Sequence, residues 1–148
     1  MIHTVQLSLE EYFEDSVFAA NTSLRDAVAK LATDAGEARG AIYTRIEVVE
    51  FILDLVGYTP DHDLSKTQIL EPSFGNGEFL LSIIGRLITS WENHHNHAPI
   101  DVFSIVHSIR AVEIHYETFF STKHLVTEKL IDAGISKSDA AFLAESWL

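Results

Sequence analysis

Cysteine is absent from the 148 residues, which excludes disulfides, thiolate zinc sites and a cysteine nucleophile together. Proline occurs only three times, at Pro60, Pro72 and Pro99, and no two prolines are adjacent. Basic residues are scarce: Lys and Arg total 10 against 22 Asp and Glu, a net charge of −12. A surface this acidic repels phosphate backbones, so this stretch is a poor nucleic-acid binder by itself. No apolar run approaches the ~20 residues that span a bilayer. The opening, Met1 to Asp15, lacks the basic end and apolar stretch of a secretory signal. The expectation is a cytoplasmic protein with no membrane partner.

Hydrophobic residues make up 47% of the chain and charged residues 22%, enough apolar material to build a core. The length suits one domain or part of a larger one. Residues 1–39 read as a helical arm. Ser8 and Glu11 form a capping box, a second helix fits 22–35, and Gly36 is placed to end it. Over 44–57, Ile46, Val49, Ile52, Leu53 and Val56 recur at helical spacing, with Thr44 as cap and Gly57 as terminator. The period then changes. Residues 67–71 read as a strand stopped by Pro72, and 78–91 as a helix with Phe79, Leu80, Ile83, Ile84 and Leu87 on one side. After a polar loop at 92–99 come a short helix within 100–107, a strand over 109–114, and helices over 116–133 and 137–147 separated by Gly134. Strands alternating with helices predict an α/β fold with parallel strands and flanking helices.

The chemistry concentrates in Ile69-Leu-Glu-Pro-Ser-Phe-Gly-Asn-Gly-Glu-Phe-Leu. A strand delivers a glycine turn at its carboxyl end, where open α/β sheets bind ligands, and the turn opens a helix. Gly75 and Gly77 allow close approach of the backbone, and a helix start offers free N–H groups to a carboxylate or phosphate. The bland alternative is an ordinary strand–turn–helix connection. Glu113, at the tip of the second strand, is placed to accept hydrogen bonds from ribose hydroxyls. It follows Gly77 by 36 positions, against roughly 20 in dinucleotide folds, and the loop at 92–99 with its helix accounts for the excess. His94, His95 and His97, with Glu92 and Asp101 nearby, read as a solvated loop, because neighbouring histidines on a loop fix no tetrahedral geometry. No metal is expected. Ser73 is preceded by proline, unlike the serine of a nucleophile elbow.

These segments resemble the motifs of γ-type DNA adenine-N6 methyltransferases of restriction-modification systems. The glycine segment is similar to motif I, an acid followed by Pro-x-x-Gly-x-Gly-x-Phe-Leu. Arg110-Ala-Val-Glu-Ile-His resembles motif II, and Arg39-Gly-Ala-Ile-Tyr-Thr resembles motif X, with Arg45 where that family usually has proline. The resemblance covers residues 39–115, about half the chain. It implies a partial S-adenosylmethionine-dependent, Rossmann-like fold over 40–148, preceded by the arm at 1–39. It also implies that S-adenosylmethionine lies over Glu71, Pro72, Ser73, Phe74, Gly75, Asn76 and Gly77. Tyr43 and Thr44 would then close over its methionine end, Glu113 would hold the ribose, Ile114 would pack on the adenine, and Phe74 and Phe79 would line the pocket.

Transfer to an adenine amino group requires Asn/Asp-Pro-Pro-aromatic, and the scattered prolines exclude that tetrapeptide here. The resemblance therefore implies the amino-terminal, cofactor-binding part of an enzyme whose catalytic and target-recognition parts, and whose DNA contacts, lie elsewhere. Such a part is expected to be inactive alone and to leave an unpaired strand edge that favours a homodimer. Two alternatives stay open: a methyltransferase of RNA or protein, and a non-enzymatic cofactor-binding subunit of a split enzyme.

Overall fold

The computed structural model describes residues 44–148. The expected arm at 1–39, and Tyr43, lie outside the described residues. Helix α1 (Ile46–Leu55) leads through a 3-10 turn (Leu64–Lys66) into strand β1 (Ile69–Glu71). Helix α2 (Glu78–His94) and the short α3 (Val102–Ile105) precede strand β2 (Ile109–Ala111). Helices α4 (Tyr116–Asp132) and α5 (Lys137–Trp147) complete the chain. The two strands pair in parallel, with Ile69 opposite Ile109, Leu70 opposite Arg110 and Glu71 opposite Ala111. A parallel pair needs a crossover, which α2 and α3 supply. The described residues thus form a helix-rich α/β unit around a two-stranded parallel sheet.

Spacing explains which side of each helix is buried. In α2, Leu80, Ile83, Ile84, Leu87 and Trp91 fall on one stripe and are all buried. In α4 the buried positions are Thr122, Val126 and Leu130, and in α5 they are Ala140, Leu143, Ala144 and Trp147. Helix α5 packs on α4 and on β2. Ile109 and Ala111 point into this core while Arg110 faces out, the alternation of a strand with one covered face. Both tryptophans are buried and both donate their ring N–H, Trp91 to the Ala98 carbonyl at 3.0 Å and Trp147 to the Ile105 carbonyl at 3.3 Å.

Gly57 and Gly134 end α1 and α4 in the same way. Each has positive φ, +74° and +86°. In each case the following N–H reaches back to the helix: Tyr58 to Leu53 at 2.9 Å, and Ile135 to Leu130 at 3.1 Å. The buried Tyr58 and Ile135 complete the hydrophobic contact of a Schellman ending.

Several boundaries differ from the sequence expectation. The strands are shorter than 67–71 and 109–114: regular pairing covers only Ile69–Glu71 and Ile109–Ala111. Thr44 does not cap α1: Arg45 occupies the cap position with extended backbone, and no side chain caps that end. The stripe expected on α1 is buried only at Val49 and Leu53. Ile46, Ile52 and Val56 are exposed, as are Phe51 and Leu55. The helix is apolar on nearly every side, and among the described residues only one flank meets α2. Helix α2 runs three residues past 91, to His94. The helix within 100–107 shrinks to Val102–Ile105 because Asp101 caps it, accepting from the Phe103 N–H at 3.1 Å. No helix among the described residues is long and apolar enough to cross a membrane.

Candidate functional site

The glycine turn sits at the carboxyl end of the paired strands. The ladder persists past β2, with the Val112 N–H donating to the Glu71 carbonyl at 2.9 Å and the Phe74 N–H to the Val112 carbonyl at 3.1 Å. Pro72 and Ser73 carry the chain away from the sheet, and the Glu71 carboxylate folds back to accept the Ser73 N–H at 3.0 Å. The Gly77 N–H closes the turn on the Phe74 carbonyl at 2.8 Å. Gly75 (φ +51°) and Gly77 (φ +95°) both adopt backbone that L side chains rarely take. Gly77 is the cap residue of α2, so no side chain satisfies the first N–H groups of that helix.

Two side chains grip Gly75. Glu113, two residues past β2, accepts the Gly75 N–H on Oε2 at 3.0 Å and the His115 N–H on Oε1 at 2.8 Å. From α4, the Thr122 hydroxyl donates to the Gly75 carbonyl at 2.7 Å. The N–H of His115 is the main cause holding the Glu113 carboxyl below the usual glutamate range. The N–H groups of Gly75 and Ile114 act in the same direction, and partial burial opposes them. A carboxylate offers about four lone-pair sites, so two N–H contacts leave Glu113 with accepting capacity.

The expected site residues therefore divide. Glu71, Ser73, Gly75, Gly77 and Glu113 are drawn together by hydrogen bonds around one turn, and Pro72 and Asn76 are exposed within it. The Phe74 ring is 3% exposed and lies in the core, 5.9 Å from Phe119, so it supports the turn from beneath. Phe79 is half-buried and packs against the core. Ile114 is 90% exposed, and Leu70, Val112, Tyr116 and Phe120 are exposed as well. Tyr116 and Phe120 lie 4.5 Å apart, and Phe120 meets Phe119 edge-on at 5.2 Å. An unbroken series of aromatic contacts thus runs from beneath the turn to the surface. Thr44 precedes α1 and makes no hydrogen bond to the turn among the described residues.

Two nodes escaped the sequence reading. Thr122 is one. Arg86 is the other: it lies on α2 and reaches Glu50 and Asp54 of α1, with Nη2 2.5 Å from Glu50 and Nη1 2.7 Å from Asp54. It also donates to the Glu50 and Tyr58 carbonyls, each at 3.0 Å. Neither residue belongs to a local pattern, because each meets its partners only after folding. Arg86 is one of the residues lining a cleft of about 410 Å³ between α1, α2 and α4, which Glu78 and Leu81 at the start of α2 also line.

The histidines at 94–97 are occupied otherwise. His94 contacts the Ser90 and Asp61 carbonyls through its two ring nitrogens, at 2.9 and 3.1 Å. His95 stacks on Trp91 with 3.8 Å between ring centroids. No cluster of three metal-ligating side chains occurs among the described residues.

The chain is similar to three curated restriction-modification enzymes. It is 48% identical over 133 residues to the type II methyltransferase M.PaeR7I of Pseudomonas aeruginosa, an overlap of 89% of this chain and 23% of that protein. It is 46% identical to the type II methyltransferase M.XhoI of Xanthomonas vasicola, over 76% of this chain and 20% of that protein. It is 34% identical to the type II methyltransferase M.BstVI of Geobacillus stearothermophilus, over 74% of this chain and 19% of that protein. The chain thus spans about a fifth of the length of the relatives it matches. No family model and no solved structure matches it. With that identity running through the glycine-turn unit, the chain belongs to the type II methyltransferases of restriction-modification systems, as a segment of about a fifth of their length.

Proposed function

We propose that this chain is the cofactor-binding, amino-terminal part of an adenine-N6 DNA methyltransferase, and that it binds S-adenosylmethionine at the turn 72–77 within a partial Rossmann-like fold. One observation carries the reading: Glu113, at the tip of β2, is bonded into the glycine turn that follows β1, in a chain related to type II methyltransferases. The donor set suits the cofactor. The uncapped start of α2 offers N–H groups to the carboxylate of its methionine end. Glu113 keeps lone pairs for two ribose hydroxyls, and the exposed Ile114 and Val112 offer apolar surface to an adenine ring. When bound, S-adenosylmethionine supplies an electrophilic methyl group. The chain's own part is to hold the ribose through Glu113, the methionine end through the turn, and the backbone geometry through the two glycines. Tyr43 and Thr44 complete the methionine end in this reading.

The receiving base, adenine N6 in duplex DNA, is handled by residues outside the 148, because no Asn/Asp-Pro-Pro-aromatic tetrapeptide occurs in the sequence. The chain alone is therefore inactive on DNA. The outer side of β1 carries no partner strand among the described residues, and Leu70 is 63% exposed. That edge takes a further strand, from the remainder of the enzyme or from a second copy of this chain in a homodimer.

Calorimetry with S-adenosylmethionine tests the site. Glu113→Ala removes charge-assisted hydrogen bonds worth roughly 1.5–3 kcal/mol, so affinity should fall about ten- to hundredfold. Equal affinity in the two proteins removes the ribose assignment. Site-specific methylation of DNA by the purified chain overturns its inactivity.

A further inference from the structure

Of the hydroxyl groups on the last two helices that bond a backbone carbonyl, all but one bond within their own helix. Ser121 bonds back to the Thr118 carbonyl, Thr127 to Lys123, and Ser146 to Phe142, each within its own helix. Thr122 is the exception. It is fully buried, it passes over its own helix, and its hydroxyl donates to Gly75, 47 residues away. Its methyl group fills the space that Gly77 leaves: a Cβ on Gly77 would stand 2.9 Å from Thr122 Cγ2. One side chain therefore touches both glycines of the turn, by hydrogen bond at one and by packing at the other.

We propose that Thr122 is a positioning residue of the cofactor site. It fixes the Gly75 carbonyl from the core side while Glu113 fixes the Gly75 N–H from the strand tip. The peptide units on either side of Gly75 are then locked in one orientation before any ligand arrives. Gly75 has positive φ and no heavy atom within 4 Å of where its Cβ would be, so side-chain packing does not hold it. Its orientation rests on these two hydrogen bonds. A turn held in its binding geometry loses less conformational entropy when a ligand docks. The inference rests on the reading of the turn as a S-adenosylmethionine site.

Two substitutions in the 148-residue chain separate the hydroxyl from the methyl. Thr122→Val keeps the shape against Gly77 and leaves the Gly75 carbonyl without its donor. Thr122→Ser keeps the donor and removes the methyl. Cofactor affinity by calorimetry should fall about tenfold in Thr122→Val and stay within about threefold of wild type in Thr122→Ser. Hydrogen exchange at the Gly75 amide, relative to the Leu130 and Ile135 amides, should quicken about tenfold in Thr122→Val and be restored by serine. A Thr122→Val protein with wild-type affinity and wild-type Gly75 exchange overturns the proposal. So does a Thr122→Ser protein as impaired as Thr122→Ala, and this comparison stands even where valine prevents folding. A wild-type chain that binds no cofactor refutes the functional reading, while Gly75 exchange still decides whether Thr122 positions the turn.

Discussion

Arg86 and Gly75 are both crossing points where segments distant in sequence are tied by hydrogen bonds, yet the two are built differently. At Arg86 a nearly buried guanidinium spends its Nε and both terminal nitrogens on Glu50, Asp54 and two backbone carbonyls. This fork has no donor left for a ligand. Arg86 is also the leading cause that holds the Glu50 carboxyl below its ordinary range. At Gly75 a single N–H and a single carbonyl are each met once, by Glu113 and Thr122, and the Glu113 carboxylate retains lone pairs. A saturated node stabilises the fold, whereas a node with spare capacity at a strand end can serve a ligand. Breaking the first should therefore lower stability with little effect on binding, and breaking the second should do the reverse.

The largest stability effect is expected at the saturated node. Arg86→Met should lower the unfolding free energy by about 2–4 kcal/mol, through hydrogen bonds to charged partners and a loosened contact between α1 and α2. The loss stays below that of a fully buried pair because Glu50 and Asp54 are 43% and 63% exposed and regain water. Urea unfolding measures this. Calorimetry at a temperature where both proteins are folded should show S-adenosylmethionine affinity within about threefold. A parallel collapse of affinity would mean that the two nodes are one unit.

The two glycines sharpen the contrast. Gly77→Ala meets an unfavourable φ of +95° and a Cβ 2.9 Å from the buried Thr122 methyl, so stability should fall by about 2–3 kcal/mol. Gly75→Ala meets only the left-handed backbone, with open space around its Cβ, and about 1 kcal/mol is expected. If that open space is where the cofactor lies, Gly75→Ala should weaken binding tenfold or more despite its smaller structural effect. Thermal denaturation and calorimetry on both variants check the ordering. Equal ratios of binding loss to stability loss would remove the distinction between the two glycines.

Much of this arrangement is local, which is why the sequence exposes it. Gly57 and Gly134 announce helix ends, because a left-handed residue after a periodic apolar run has few other uses. The residues Glu71, Gly75, Gly77 and Glu113 are legible because a turn at a strand end and an acid at the next strand tip occupy fixed topological places. What escaped is tertiary. Thr122 and Arg86 are ordinary helix residues until partners 47 and 36 positions away arrive. Phe74 sits in the motif, yet whether its ring points at a ligand or beneath the turn depends on Phe119, on a helix the motif does not contain. In α1 the apolar residues cover nearly the whole surface, so periodicity cannot say that only the Val49–Leu53 flank is buried. The end of α2 is set by His94 and His95, whose rings contact the Ser90 and Trp91 carbonyls and so fasten the last turn to the helix before it.

The smallest expected effect is also the most local one. The Glu113 carboxyl titrates below the 4.5 of an ordinary glutamate because its anion accepts the N–H of His115 first, then those of Gly75 and Ile114. A group whose folded pKa is depressed contributes stability that is fully present above its unfolded pKa. That contribution is lost as pH falls through the lower folded value. The grip on Gly75 should accordingly be constant from neutral pH down to about 4.5 and should weaken only below it. Glu113 is partly exposed, so the change in global stability should stay under about 1 kcal/mol. It would also be masked, because Asp63, lowered to about 2 mainly by Lys66, and Glu50 titrate in the same acid range. A local probe is therefore required. The Gly75 amide nitrogen shift, followed by NMR from pH 7 to 3, should follow one titration curve with its midpoint below 4.5, while the Leu130 amide stays fixed. In Glu113→Gln that curve should vanish, since the amide does not titrate. A Gly75 shift that moves only together with Leu130, at the acid unfolding transition, would show that the carboxylate does not hold the turn.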